Sequence, residues 1–413
     1  MSRLEQLIQQ HCPNGVEYKT LEEVCEFRAG WGFPEVEQGL TEGKYPFYKV
    51  GDMNNSEMFM DTANNYISEE TSMKLKCKPA PKGTIIFPKI GATMNTNKKR
   101  ILTKPSCYDN NVMGLIAKSV NDRFLYYFFS QYKLIDFAKG TGAVPSLDTN
   151  RLKKLLIPVP PLPVQEEIVR ILDTLTELQA ELQAELQKRL QQYNYYRDKL
   201  LSFNDLNGGG YAVSVEWKKL GDIATDWYRG AGIKRDEVSE EGTPCIRYGE
   251  IHTTYNIWFD ECVSHTDENK QPAKKYADYG DILFAITSED MPFIGNSVAY
   301  IGKERILVGG DIVVMKHTQN PKYMSYVLST SDAVMQKGKG KVKSKVVHTN
   351  VPSLKEIVVP IPSLEEQERI ATILDKFYAL TTDITAGLPA EIEARRKQYE
   401  YYRDQVLTFK QKA

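Results

Sequence analysis

The sequence predicts an α+β protein in which two mixed α/β domains are joined by two long antiparallel coiled-coil helices about a pseudo-twofold axis. Three observations predict it. A proline-led stretch without internal Gly or Pro over most of its length occurs twice, from Pro163 to Phe203 and from Ser363 to Phe409. The residues ahead of each copy share short pieces rich in β-branched and aromatic side chains, flanked by Gly and Pro, which read as strands and turns. In the first stretch the apolar residues recur at steps of three and four, the signature of one helical face. The boundaries that follow are an N-terminal helix at 1–15, a first domain at 16–157, a helical region at 158–206, a linker at 207–214, a second domain at 215–359 and a second helical region at 360–413.

The N-terminus, Met1 to Ile8, reads as a short amphipathic helix. A charge interrupts its apolar residues, so it is not expected to be a signal peptide. With 41% hydrophobic residues, 26% charged residues and no apolar run of membrane-spanning length, the chain is expected to be soluble, cytoplasmic and without a membrane partner. Its 413 residues suffice for two or three domains.

Cys12-Pro13-Asn14-Gly15 forms a turn, and the first domain follows. Val16 to Leu21 corresponds to Val215 to Leu220, Tyr45 to Met53 corresponds to Thr243 to Ile251, and Lys82 to Phe87 corresponds to Tyr279 to Phe284. Asp148-Thr149-Asn150 corresponds to His348-Thr349-Asn350. Phe124 to Phe129 is expected to be a helix or strand that buries aromatics. Asn207 to Gly210 is a flexible joint. A period near 200 residues is too long for a solenoid and marks a duplication.

About 40 residues of helix at ~1.5 Å each make a rod of roughly 60 Å. Its apolar face, Ile168, Ile171, Leu175, Leu178 and Leu182, continued by Leu186, Leu190 and Tyr193, needs a partner. The simplest partner is the other copy, through Ile370, Ile373, Phe377, Leu380 and Ile384. The steps of four from Leu178 to Leu190 depart from strict heptads. Pro158 maps to Pro360, an offset of 202, whereas Phe203 maps to Phe409, an offset of 206. At this place the first copy carries a tandem repeat, Gln179-Ala180-Glu181-Leu182 then Gln183-Ala184-Glu185-Leu186, and the second carries Gly387-Leu388-Pro389. An interior Pro costs ~3 kcal/mol, so the second rod should break near Gly387 while the first runs unbroken.

Motifs for chemistry are missing. There is no phosphate-binding G-x-x-x-x-G-K-[ST] loop, no G-x-G-x-x-G, no G-x-S-x-G and no H-E-x-x-H. An Asn/Asp-Pro-Pro-aromatic methyltransferase tetrapeptide is also missing, so methyl transfer would need another chain. The six cysteines show no metal-ligand spacing with the five histidines and are expected to be reduced and structural. Asp205 with Glu216-x-Lys218 is a weak nuclease-like pattern; a strand start after a flexible linker explains it better. No catalytic residue, metal or cofactor is expected in this chain.

Basic stretches are the positive signal. From Lys74 to Lys154 the chain has 16 basic and 4 acidic side chains, which suggests a polarised face. The candidate DNA contacts there are Lys89, the loop residues Asn95, Asn97, Lys98, Lys99 and Arg100, and Lys139. In the second domain they are Arg229, Lys234 and Arg235, and the alternating Lys337, Lys339, Lys341, Lys343 and Lys345. If extended, those five lysines lie ~6.6 Å apart on one face, a spacing suited to a nucleic-acid backbone. A solvated loop or a lysine-guarded edge strand would carry the same sequence.

The lead-in P-x-P-x-L-x-x-Q-x-x-I at Pro158 and again at Pro360, and the helix end Q-Y-x-Y-Y-R-D at Gln192 and again at Gln398, together with the domain-rod-domain-rod order, resemble the specificity subunit of type I restriction–modification enzymes. The resemblance covers essentially the whole chain, although the domains match only at sparse strand positions. It implies a non-catalytic subunit whose two target-recognition domains each read one half of a bipartite site in double-stranded DNA. It further implies that the rods set the gap and dock two methyltransferase subunits, which would hold S-adenosylmethionine, with restriction–translocase subunits joining the complex. The alternatives are a coiled-coil scaffold with two paralogous protein- or ligand-binding domains, and a nuclease using Glu216 and Lys218.

Overall fold

The computed structural model describes residues 2–139, 145–203, 214–271, 273–288, 294–339, 347–382 and 387–412. The chain divides into two compact units, Met1–Glu181 with Ile392–Ala413, and Leu182–Glu391. Among the described residues no helix is long and apolar enough to cross a membrane.

The first unit opens with the helix Arg3–His11, started by a capping box between Ser2 and Glu5. Its main sheet has the order Cys25–Ala29, Val112–Ala117, Ile85–Pro88, Arg100–Leu102, Phe59–Met60, antiparallel except for the last pairing. A smaller sheet joins Tyr66–Ile67, Tyr45–Tyr48 and Cys107–Tyr108. The aromatic run is a helix, Asp122–Ser130, capped by Asn121 and burying Phe124, Leu125, Tyr127, Phe128 and Phe129. Asp122, Arg123, Tyr126 and Ser130 are left half-buried.

The second unit repeats the main sheet in the order Ala224–Arg229, Ile312–His317, Ile282–Ala285, Ser297–Tyr300, Trp258–Phe259, with the helix Pro321–Leu328 in the role of the aromatic one. A second five-stranded sheet contains Thr243–Ile246. In each unit an antiparallel pair leads into the rod, Glu17–Thr20 with Leu156–Val159 and Glu216–Lys219 with Val358–Ile361. Several repeated pieces are not strands throughout. Val50–Asn55 and Tyr248–Thr253 are short helical turns. Asp148 and Asn350 cap helices through their side chains, local bonds that compete with a sheet ladder.

The first rod is one helix of 41 residues, Leu162–Ser202, ending where Phe203 adopts a positive φ of 54°. The second copy is two helices, Leu364–Thr382 and Leu388–Val406, with the expected break at Gly387 and Pro389 inside the first turn, where it displaces no helical bond. Ile384 lies outside the described residues. Burial along the rods is uneven. Ile168 and Ile370 are buried, as are Leu172 and Leu374, which were not singled out from the sequence. Ile171, Leu175, Leu182 and Ile373 are half-buried. Leu178, Phe377 and Leu380, expected on the seam, are 44%, 49% and 64% exposed. The entering turns of each rod pack against their own domain, and near the end of the first rod Tyr193 and Leu201 are buried in the second unit's core, with the Tyr193 ring 6.1 Å from that of Tyr378.

Three devices, each present in both units, hold helix to domain. Gln165 is fully buried; its Nε2 donates to Pro160 O at 2.7 Å and its Oε1 accepts from Asn121 N at 2.8 Å. Gln367 repeats this with Pro362 O at 2.9 Å and Asn320 N at 3.0 Å. Next, Asp173 accepts from Tyr127 Oη at 2.6 Å and pairs with Arg123 at 2.6 Å, while Arg123 lies over the Phe59 ring. Asp375 does the same with Tyr326 and Lys322, both at 2.6 Å, and Lys322 lies over Trp258. Burial raises the Asp173 carboxyl above the usual carboxylate range, while the tyrosine bond and the arginine oppose the rise. Finally, Asp404 accepts from Gln131 at 2.9 Å in the first unit and Asp198 accepts from the Ser331 hydroxyl at 2.5 Å in the second.

Replacing Gln165 by Leu orphans one buried backbone donor and one acceptor, each worth about 1–3 kcal/mol. Gln165→Leu is therefore expected to lower unfolding free energy by roughly 2–5 kcal/mol, read from urea denaturation. Glu166→Ala on the exposed neighbouring position should leave it within about 0.5 kcal/mol of wild type.

Candidate nucleic-acid interface

A cleft of about 1010 Å³ opens in the second unit between the turn after Ala224–Arg229, the turn Arg247–Glu250 and the Gly309–Asp311 corner. Arg229, Arg235 and Arg247 line it, and its floor is backbone from Gly230, Gly232, Gly309 and Gly310. Gly230 has a steric cause: a Cβ there would lie 2.2 Å from Gly309 O. Where two chain segments cross this closely only hydrogen fits. Three guanidiniums around a glycine-lined cleft amount to a site for an anion or a polar planar edge.

The three arginines differ in how they are held. Arg229 pairs with Asp311 at 2.6 Å and also donates to Gly310 O. Arg235 is exposed and has no ion pair among the described residues. Arg247 is half-buried, with one terminal nitrogen 3.5 Å from Glu250 Oε1 and a buried Nε that lacks a partner. Glu250 is itself fixed, accepting from Arg247 N at 3.0 Å and from Ser264 Oγ at 2.6 Å.

The first unit has the same backbone frame. Gly30 N donates to Val112 O at 3.1 Å, as Gly230 N donates to Ile312 O at 2.9 Å. Trp31 N reaches Tyr108 O, as Ala231 N reaches Val308 O, both at 2.9 Å. Asp109 N reaches Tyr48 O at 2.9 Å, as Gly309 N reaches Ile246 O at 2.8 Å. Lys49 N donates to Asp52 at 2.6 Å in the manner of Arg247 and Glu250. On this shared frame the side chains differ: Lys49 replaces Arg247, and Asp109-Asn110 replaces Gly309-Gly310.

The candidates read from the sequence are dispersed. Of the second-domain residues, Arg229 and Arg235 line the cleft, and Lys234 is exposed beside Glu237 at 3.5 Å. Arg247 was missed; the signal available was its match to Lys49 in the internal repeat. In the first unit Lys89 is half-buried, bonded through its backbone to Asn111 and Leu147, with its ammonium pulled down by burial. Asn95 and Lys139 are exposed. Lys98 bonds Asn54. Asn97 adopts a φ of 52° and accepts from Leu134 N and Lys99 Nζ.

Two expectations change. The cationic loop at Asn95 to Arg100 is turned largely inward: Lys99 is buried and donates to Tyr132 O at 2.8 Å, and Arg100 donates to Ser56 O, Lys99 O and Met53 O. The lysine ladder does not begin extended. Lys337 lies in the helix Ser331–Gly338, buried, donating to Leu328 O at 2.8 Å and Ser297 Oγ at 3.2 Å. Lys339 is exposed at that helix end, and Lys341, Lys343 and Lys345 lie outside the described residues. Burial pushes both Lys99 and Lys337 down to about 7. Each instead satisfies a main-chain carbonyl where a core helix ends, a role that sequence alone assigns to neither. Glu216 and Lys218 pair with each other at 2.6 Å, and among the described residues no cluster of His, Cys, Asp or Glu could hold a metal.

The family model described as the type I restriction modification DNA specificity domain matches the chain twice, at residues 13–192 and 213–394. The chain belongs to the type I restriction–modification specificity family. It is 33% identical to the type I restriction enzyme EcoR124I/EcoR124II specificity subunit of Escherichia coli, over 74% of this chain and 73% of that one. It is 34% identical to the putative type I restriction enzyme specificity subunit S.HindORF215P of Haemophilus influenzae, over 71% of this chain and 73% of that one. A solved structure concerned with complex assembly and conformational transition of the type I R-M system shares the fold, with a TM-score of 0.60 at 14% identity, over 96% of this chain and 98% of that one.

The two classes of basic residue should separate in binding to duplex DNA. Arg235→Gln is expected to shallow the slope of log affinity against log salt by about 1, as measured by fluorescence anisotropy. Lys337→Met, removing a buried ammonium, should leave the slope unchanged.

Proposed function

We propose that this specificity subunit is a non-catalytic DNA reader in which each unit recognises one half of a bipartite double-stranded site. The observation that carries the reading is the duplicated frame with unlike side chains on it: equal scaffolds present different chemistry, as two different half-sites require. Methyl transfer then belongs to partner subunits that bind S-adenosylmethionine, and cleavage to restriction–translocase subunits.

Two methyltransferase subunits would dock on the helices. Support comes from large apolar side chains left in water on them, a feature that marks interaction surfaces. In the first unit these are Leu178 and the tilted ring pair Tyr401 and Tyr402; in the second they are Phe377, Leu380 and the pair Tyr195 and Tyr196. The helices would also set the gap between half-sites. The tandem Gln-Ala-Glu-Leu units lie inside the unbroken Leu162–Ser202 helix, where four residues add ~6 Å of axial length.

The core test maps methylated adenines in a host expressing the methyltransferase partner with and without this chain; a bipartite pattern that requires the chain is expected. Inserting a third Gln-Ala-Glu-Leu unit after Leu186 should then lengthen the gap by one or two base pairs and keep both half-sites. Altered half-sites with an unaltered gap would remove the helices from the ruler role.

A further inference from the structure

We propose that Arg247 is a base-reading side chain of the second unit, specifying a guanine in its half-site, and that Lys49 holds the counterpart position in the first. This rests on the DNA-reading function above and assigns within it a residue that determines specificity. The position is built the same way twice. In each unit a short helical turn begins with a cation whose own backbone N–H is tied to the carboxylate three residues on, Asp52 or Glu250. In each, that turn is anchored to the neighbouring corner by the bond from residue 109 or 309 back to the strand before it.

The surroundings separate Arg247 from the other cations of the cleft. A phosphate contact needs charge and tolerates disorder, which describes Arg235. Arg229 is already engaged by Asp311 and Gly310. Arg247 alone is partly withdrawn from water yet loosely bonded, its terminal nitrogen 3.5 Å from Glu250, beyond good hydrogen-bond length. Glu250, buried and bonded to Ser264, orients the guanidinium without consuming its fork. A planar fork beside a fixed carboxylate, with no close side-chain hydrogen bond among the described residues, matches the O6 and N7 acceptors of guanine in the major groove. Gly309 and Gly310 line the cleft without putting a side chain into it. In the first unit that corner carries Asp109 and Asn110, and Lys49 is drawn to Gln38 and over the Phe33 ring at 5.7 Å. The counterpart therefore presents a single ammonium, not a fork, and should read a different base pattern.

The test uses the full chain assembled with its methyltransferase partner. Arg247→Lys keeps the charge and removes the fork, so adenine methylation is expected to lose its requirement for one guanine in one half-site, with the other half-site and the gap unchanged. Binding to the original duplex should fall roughly 5- to 150-fold while binding to a scrambled duplex is retained. Gly310→Asn, which brings the first unit's corner residue into the cleft and leaves Arg247 intact, should alter the same half-site. Arg235→Gln should weaken binding to both duplexes and keep the wild-type pattern. An unchanged methylation pattern in both Arg247→Lys and Gly310→Asn overturns the assignment of Arg247 alone. A wild-type complex whose methylation is independent of this chain overturns the DNA-reading function, and the assignment with it.

Discussion

A buried glutamine at the entry of each rod governs how the rest of this protein is arranged. Gln165 and Gln367 each join the carbonyl of the proline lead-in to the first N–H of a core helix. The glutamine side chains and the proline carbonyls they meet are buried, so an unmade bond to those carbonyls carries a desolvation cost. One side chain thus ties the first turn of each rod to its own domain. The aspartates two turns further on, Asp173 and Asp375, reinforce that tie with a tyrosine hydroxyl and a cation stacked on an aromatic ring. A half-buried charge of this kind is tolerated because it is paired and hydrogen-bonded at once.

With the rods fixed, the domains can hold a common frame and vary what it displays. The frame depends on close crossing of two main-chain segments, which demands Gly30 in one unit and Gly230 in the other, where any Cβ would sit about 2 Å from a carbonyl oxygen. The bonds at that crossing are main chain to main chain, so they are indifferent to side-chain identity. Lysine or arginine at the turn, and glycine or aspartate at the corner, accordingly occur on the same main-chain frame.

Much of this was legible in the sequence. The break near Gly387 followed from one proline, and the unbroken first rod from the lack of one. The glutamine of the lead-in and the aspartate of the helix end both recur in the repeated motifs, whereas their bonding partners lie far away in sequence. The candidate interface was read less well. Charge density pointed to Lys99, Arg100 and Lys337, which the fold turns inward to meet main-chain carbonyls, and passed over Arg247, one cation among many until the frame set it beside Arg229 and Arg235.

Sequence by itself determined the duplication, the rods, the absence of catalytic motifs and the family, because periodicity, proline placement and repeated short motifs are local properties of the chain. Tertiary structure alone decided which basic side chains face solvent and which loops converge on one cleft. Burial of a lysine and the meeting of residues 229, 247 and 309 depend on contacts between segments far apart in sequence, and no local pattern encodes such contacts.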